Sequence, residues 1–124
     1  MIFKGEVLDP RNFPRLDTWR MELKDELLRR RGYRSDYSGL PLIDCDMHEG
    51  IITRAVVPKS TGWQRLIFHE YNCFLLLREE HIPQPPSREW CMLKSFERYG
   101  KDNVVNWFYS LPWKSVPFRI ENYS

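Results

Sequence analysis

One scattered set of side chains in this sequence could share a single piece of chemistry. It comprises the adjacent pair His48-Glu49, then Asn72, then His81 nine residues beyond it, with Ser35, Ser38 and Gly39 upstream. Two imidazoles can hold a divalent cation. A neighbouring base can activate water, and the cation can stabilise the charge that develops on a scissile phosphate. A neutral amide can tie a loop through hydrogen bonds to its backbone without adding charge. Each residue alone also has a plainer reading: a surface strand end, a turn cap, a buried apolar strand from Phe74 to Leu77.

The elements that must position these groups can be read around them. Leu42 to Met47 reads as a strand running into His48-Glu49, and Asn72 to Leu77 as a second strand followed by Arg78-Glu79-Glu80-His81. Ile82-Pro83-Gln84-Pro85-Pro86 must end any helix begun at Arg78, so that helix is expected to be short. Upstream, residues 1 to 16 read as an irregular arm. Asp17 or Thr18 is expected to cap a helix running to about Arg31, with Leu16, Met21, Leu23, Leu27 and Leu28 as its apolar face and Gly32 as its stop. Downstream, Ser87 is expected to cap a helix reaching Tyr99 and stopped by Gly100, its faces marked by Trp90, Leu93, Phe96 and Glu97. Asp102 is expected to cap a last helix through Ser110 that buries Val104, Val105, Trp107 and Phe108. From Lys114 the chain reads as a tail packed through Phe118 and Ile120, or a strand.

The turn Ser35-Asp36-Tyr37-Ser38-Gly39, the strand into His48-Glu49, and Asn72 with its apolar strand and His81 together resemble the HNH endonuclease family. The flanks, including Glu89 to Gly100, are similar to small stand-alone HNH proteins of bacteriophages. The likeness covers residues 35 to 81. It implies an α+β fold built on a ββα-metal core, and a divalent-metal-dependent cleavage of DNA phosphodiesters. His48 and His81 take its metal-ligand positions, with Mg or Mn as the ion. Asn72 takes the position that braces the hairpin loop or assists the metal. Glu49 falls where the family usually has a general-base histidine. An unperturbed Glu titrates near ~4.3, which makes it a weaker base than His at neutral pH. Two other assignments stay open: Asp46 as ligand with His48 as base, since residues two apart on a strand share a face, and His69 as base. The family's usual zinc-binding cysteines correspond to Ser35, Ser38, Leu77 and Glu80, which supply no tetrahedral Cys or His set. No structural zinc is therefore expected. The altered base position feeds a second reading, a non-cutting HNH-fold module that binds DNA or a host protein.

Composition sets the remaining bounds. The chain has 124 residues and a mass of 15.1 kDa, which fits one domain. Within it, 1–34 reads as arm and helix, 35–83 as the core and 84–124 as helices and tail. With 42% hydrophobic and 15% aromatic residues there is material for a packed core, so disorder is excluded. No apolar run has the length of a membrane span, and the N-terminus lacks a long apolar leader, which points to the cytoplasm, that of a bacterial host if phage-encoded. Cys45, Cys73 and Cys91 form no Cys-x-x-Cys pair and read as buried or free thiols in a reducing compartment. Net charge is only +2, so the distribution carries the argument: 13 Arg against 6 Lys, clustered at Arg29, Arg30, Arg31 and Arg34. Forked guanidinium groups suit phosphate. With Arg54, Lys59 and Arg65 they form the expected DNA-contacting set, although basic residues at a helix end also complement the helix dipole.

Overall fold

The computed structural model describes residues 2–3, 6–7, 15–57, 63–112 and 119–122. Among the described residues two short antiparallel strand pairs and four α-helices follow one another, a mixed α+β arrangement. Strand β1 (Ile2–Phe3) pairs antiparallel with β2 (Glu6–Val7) inside the stretch expected to be an irregular arm. Helix α1 (Leu16–Arg30) comes next. Strand β3 (Asp46–Glu49) pairs antiparallel with β4 (Cys73–Leu76), and the one-turn helix α2 (Arg78–His81) follows. Helices α3 (Arg88–Tyr99) and α4 (Lys101–Ser110) pack on each other, and a short 3-10 turn spans Ile120–Asn122. No helix among the described residues is long and apolar enough to cross a membrane.

Helix α1 buries Trp19, Leu23 and Leu27, spaced four apart on one face. Met21, expected on that face, is 63% exposed. It sits two residues from both Trp19 and Leu23, which turns it to the opposite side. The helix begins two to three residues earlier than a cap at Asp17 or Thr18 would place it. Arg15 occupies the cap without a side-chain bond, so neither Asp17 nor Thr18 caps it. Asp17 still complements the dipole from the first turn. The indole N–H of Trp19 donates to the Phe68 carbonyl (3.2 Å), tying α1 to the segment before β4.

The first strand of the hairpin is shorter than Leu42 to Met47 suggested. β4 offers partners only from Cys73 to Leu76, so pairing starts at Asp46. Before that, Leu42 N–H donates to Tyr33 O (2.8 Å) and Arg34 bridges Pro41, while Ile43 is fully exposed. The second strand starts at Cys73, opposite Glu49, and the Asn72 carbonyl just before it accepts from Gly50 N–H (3.0 Å).

The C-terminal helices match expectation except in their faces and one cap. Ser87 Oγ accepts from Trp90 N–H (3.1 Å) and caps α3. The face that α3 buries is Cys91, Met92 and Ser95, with Trp90 and Phe96 only partly covered. Helix α4 takes Gly100 as its cap, and Asp102 lies in the first turn without a capping bond. Val104 and Phe108 are buried, with Val105 and Trp107 packed beside them. Ile120 is buried, whereas Phe118 lies outside the described residues. All three thiols are buried and unbridged, as their spacing suggested.

One buried charge cluster joins these parts. Arg31, just past α1, donates to Asp36 Oδ2 (2.8 Å), to the Cys73 and Glu70 carbonyls, and to the Tyr99 hydroxyl. Asp36 also accepts from Leu75 N–H on β4 (2.7 Å) and from Arg98 on α3 (2.8 Å). Only 7% of the Arg31 side chain and 2% of Asp36 reach solvent. Burial works against the Arg31 charge, but Asp36 and Tyr99 outweigh it and hold its pKa above the ordinary value. Removing one member of such a pair strands a buried charge. Asp36→Ala should cost about 3–5 kcal/mol by urea unfolding, within the range for broken buried pairs. Met21→Ala on the exposed face should change stability by less than about 0.5 kcal/mol.

Candidate functional site

The hairpin register puts Asp46 opposite Leu76 and His48 opposite Phe74. Asp46 and His48 therefore share one face of β3, while Met47 points into the core with 2% exposure. Helix α2 packs on β3 and brings His81 over that face. The His48 and His81 ring centroids lie 5.0 Å apart. Both rings line a cleft of about 340 Å³ together with Glu49, Arg20, Thr53 and Arg54. His81 also borders an adjoining cavity of about 300 Å³ that contains Asp46, Lys24 and Arg78.

Each ring is prepared differently. His81 Nδ1 lies 2.9 Å from Asp46 Oδ2, a carboxylate–imidazole pair that fixes the ring and leaves Nε2 for another partner. Asp46 is thus an orienting group for His81 more than an independent ligand, and Arg78 lies near the same oxygen at 3.5 Å. Burial, together with the facing His81, pushes the His48 pKa down to about 4, so its ring is neutral at pH 7 and keeps a lone pair. Glu49 lines the same cleft, with Oε1 accepting from Arg54 Nε at 3.2 Å.

Asn72 is completely buried, and all its bonds go to the backbone. Its Oδ1 accepts from Ile51 N–H and Ile52 N–H, and its Nδ2 donates to the Ile52 and Ile67 carbonyls, each at 2.9 Å. That arrangement clamps the loop leaving β3 and leaves the amide nothing with which to reach the cleft. Gly50 lets the same loop pass close under α3, because a Cβ there would run into the Cys91 side chain.

The turn at 35–39 is also held by side chains. Ser35 Oγ accepts from Tyr37 N–H and Ser38 N–H (3.1 Å each) and donates to Glu80 Oε1 (2.6 Å). Glu80 Oε1 accepts from Leu77 N–H as well (2.8 Å), closing the first turn of α2. Gly39 completes the turn at φ 76°, where a side chain would be strained. Burial would raise the Glu80 pKa, but hydrogen bonds from Ser35, Ser38 and the backbone win and hold it below the carboxylate range. Ser35, Leu77 and Glu80, three of the four positions compared with zinc ligands, are thus joined by hydrogen bonds, and Ser38 contributes to the same carboxylate.

Other expected site residues lie elsewhere. His69 borders a separate apolar cavity, stacks on Trp107 with centroids 5.2 Å apart, and accepts from Tyr71 N–H through Nδ1. Burial lowers its pKa to about 4. It is a packing residue and does not line the cleft of the paired rings. Arg31 is locked in the Asp36 cluster and so is not a free DNA contact. Arg29 pairs with Glu26, and Arg30 with Glu70 at 3.4 Å. Arg54 faces the cleft and lies over the Phe68 ring at 5.1 Å. Arg65 borders the His69 cavity, Arg34 donates to the Gly39 carbonyl, and Lys59 lies outside the described residues. The cations that do surround the histidines, Arg20, Lys24 and Arg78, were not singled out from the sequence. Arg20 and Lys24 are four apart on α1, beside the buried Trp19 and Leu23, and that spacing was a usable signal.

Two measurements test these contacts. Glu80→Ala should lose about 1–3 kcal/mol in urea unfolding, since it leaves Leu77 N–H and Ser35 without their acceptor. Between pH 6.5 and about 4, the unfolded chain takes up protons on His48 and His69 that the folded chain refuses. Stability therefore falls as pH falls through that window. His69→Gln, which keeps an acceptor near Tyr71 N–H, should show a shallower loss than wild type between pH 6.5 and 5, read from denaturation midpoints. Family models, curated proteins and solved structures offer no match to this chain; the cleft stands on the chemistry of its own side chains.

Proposed function

We propose that the protein is a divalent-metal-dependent HNH-type endonuclease that hydrolyses DNA phosphodiester bonds on a ββα-metal core. The observation that carries this reading is the pair of facing imidazoles, His48 and His81, with His81 oriented by Asp46. The donor set fits a cation: one ring is neutral, and the other is turned by its carboxylate to present Nε2. His48 and His81 would hold the ion, and among the described residues no group of three or more His, Cys, Asp or Glu converges there. Two nitrogen ligands weight the choice of ion toward a transition metal over Mg. A cation held there supplies Lewis acidity to the phosphate and to the leaving oxygen.

The chain's own residues do the rest. Arg20, Lys24, Arg54 and Arg78 outnumber Asp46 and Glu49 around the cleft and its neighbour, which draws a phosphate diester in. Glu49 takes the proton of an attacking water. Water oxygen bonds to phosphorus, the phosphorus–oxygen bond to the leaving sugar breaks, and the leaving oxygen is protonated from solvent. Asn72 holds the loop behind Glu49. The Arg54–Glu49 contact favours a second reading, in which the carboxylate serves as a structural partner and the fold binds DNA or a host protein without cutting.

Plasmid cleavage with Mg, Mn and chelator tests both. The wild type should cut with at least one ion and stop with chelator. His81→Ala should abolish cutting at every pH, whereas Glu49→Gln should slow it by about 10²–10⁴-fold, as for a lost general base. A wild type that never cuts, beside a Glu49→His variant that does, would establish the non-cutting reading. Equal rates for wild type and Glu49→Gln would remove Glu49 from the base position.

A further inference from the structure

A further cavity lies away from the histidines. It measures about 550 Å³ and is lined by five cationic side chains, Arg30, Arg31, Arg34, Lys94 and Arg98, with Asp36 as the carboxylate among them. α1 separates it from the cleft: Arg20 borders the histidines near one end, and Arg31 borders this cavity just past the other. Eleven residues of helix put roughly 16 Å between them along the axis.

The charges here are only partly cancelled: Arg30 pairs with Glu70, and Arg31 and Arg98 share Asp36, which leaves five cations against two carboxylates. Asp36 already accepts from Arg31, Arg98 and Leu75 N–H. Arg31 Nε and Arg98 Nη1 are buried behind the wall, without a hydrogen-bond partner among the described residues. The wall therefore carries more donors than acceptors, in a concave space where a field of one sign is concentrated. Arg31 is fixed by four hydrogen bonds, and Arg34 is tied to Gly39 O, so much of the array is already ordered before anything binds.

We propose that this cavity is a phosphate-binding site, distinct from the histidine cleft. Forked guanidinium groups match phosphate oxygens, and a dianionic group answers a net excess of cations better than a carboxylate does. The space exceeds a lone phosphate ion, so the ligand is a phosphorylated molecule or a nucleic-acid backbone, and the shared element is the phosphate. The site is independent of cleavage at the histidines.

The test uses the full chain and inorganic phosphate, titrated by calorimetry at constant ionic strength, with chloride as the control anion. Saturable binding is expected in wild type. It should weaken at least about tenfold in Arg34→Gln/Lys94→Gln, which loses two charge-assisted contacts. His48→Ala/His81→Ala should bind phosphate as wild type does, so a failed nuclease reading leaves this result untouched. Lys94→Glu, a single change at the cavity rim, provides a second variant if the double variant fails to fold. A duplex oligonucleotide that displaces phosphate assigns the site to backbone, and displacement by a nucleoside monophosphate alone assigns it to a small ligand. No saturable binding, equal binding in the Lys94→Glu variant, or phosphate that neither competitor displaces would overturn the proposal.

Discussion

The Arg31–Asp36 pair is the contact on which the rest of this chain depends. A buried guanidinium needs acceptors on several sides, and Arg31 finds them in the 35–39 turn, the start of β4, the segment before it and α3. Asp36 answers with bonds to β4 and α3. Apolar burial alone would let these elements slide against one another, because it has no direction. The charged cluster fixes their relative positions, because every donor must meet its acceptor. The hairpin that carries His48 is thereby set against α1 and α3.

The cleft adds a division of labour on that frame. β3 supplies Asp46, His48 and Glu49, and α2 supplies His81. Because β3 alternates its faces, Met47 anchors the strand in the core while Asp46 and His48 stay together at the surface. Asn72 performs the corresponding task for the loop, using both ends of its amide on backbone groups from two segments. Such a residue holds the loop beside the cleft in place without reaching into it.

Local signals were legible in the sequence, and long-range ones were not. Ser87 and Gly100 bound α3 as their chemistry requires, and the prolines after His81 keep α2 to a single turn. The nearness of His48 to His81 and the place of Asn72 on the loop were expectations of the family resemblance, not of any local pattern, and the rings do lie 5.0 Å apart. The face of α1 was misjudged at Met21, because the leucines masked the stricter four-residue period set by Trp19, Leu23 and Leu27. Arg31 looked like one of a run of solvated arginines. Its burial depends on Asp36, Cys73 and Tyr99, which no local window connects. Lys94 and Arg98 join the arginine cavity for the same reason: α3 folds back onto the end of α1, and sequence distance hides it.

Glu80 and His81 are adjacent residues of a helix four residues long. A helix that short has almost no stability of its own. Glu80 is anchored to the 35–39 turn by Ser35, and His81 is anchored to β3 by Asp46, so α2 behaves as a strut between two fixed points. The ring that faces His48 inherits its position from a turn that touches neither histidine. The turn is thus linked to the cleft through Glu80 and α2, although it contributes no side chain to the cleft.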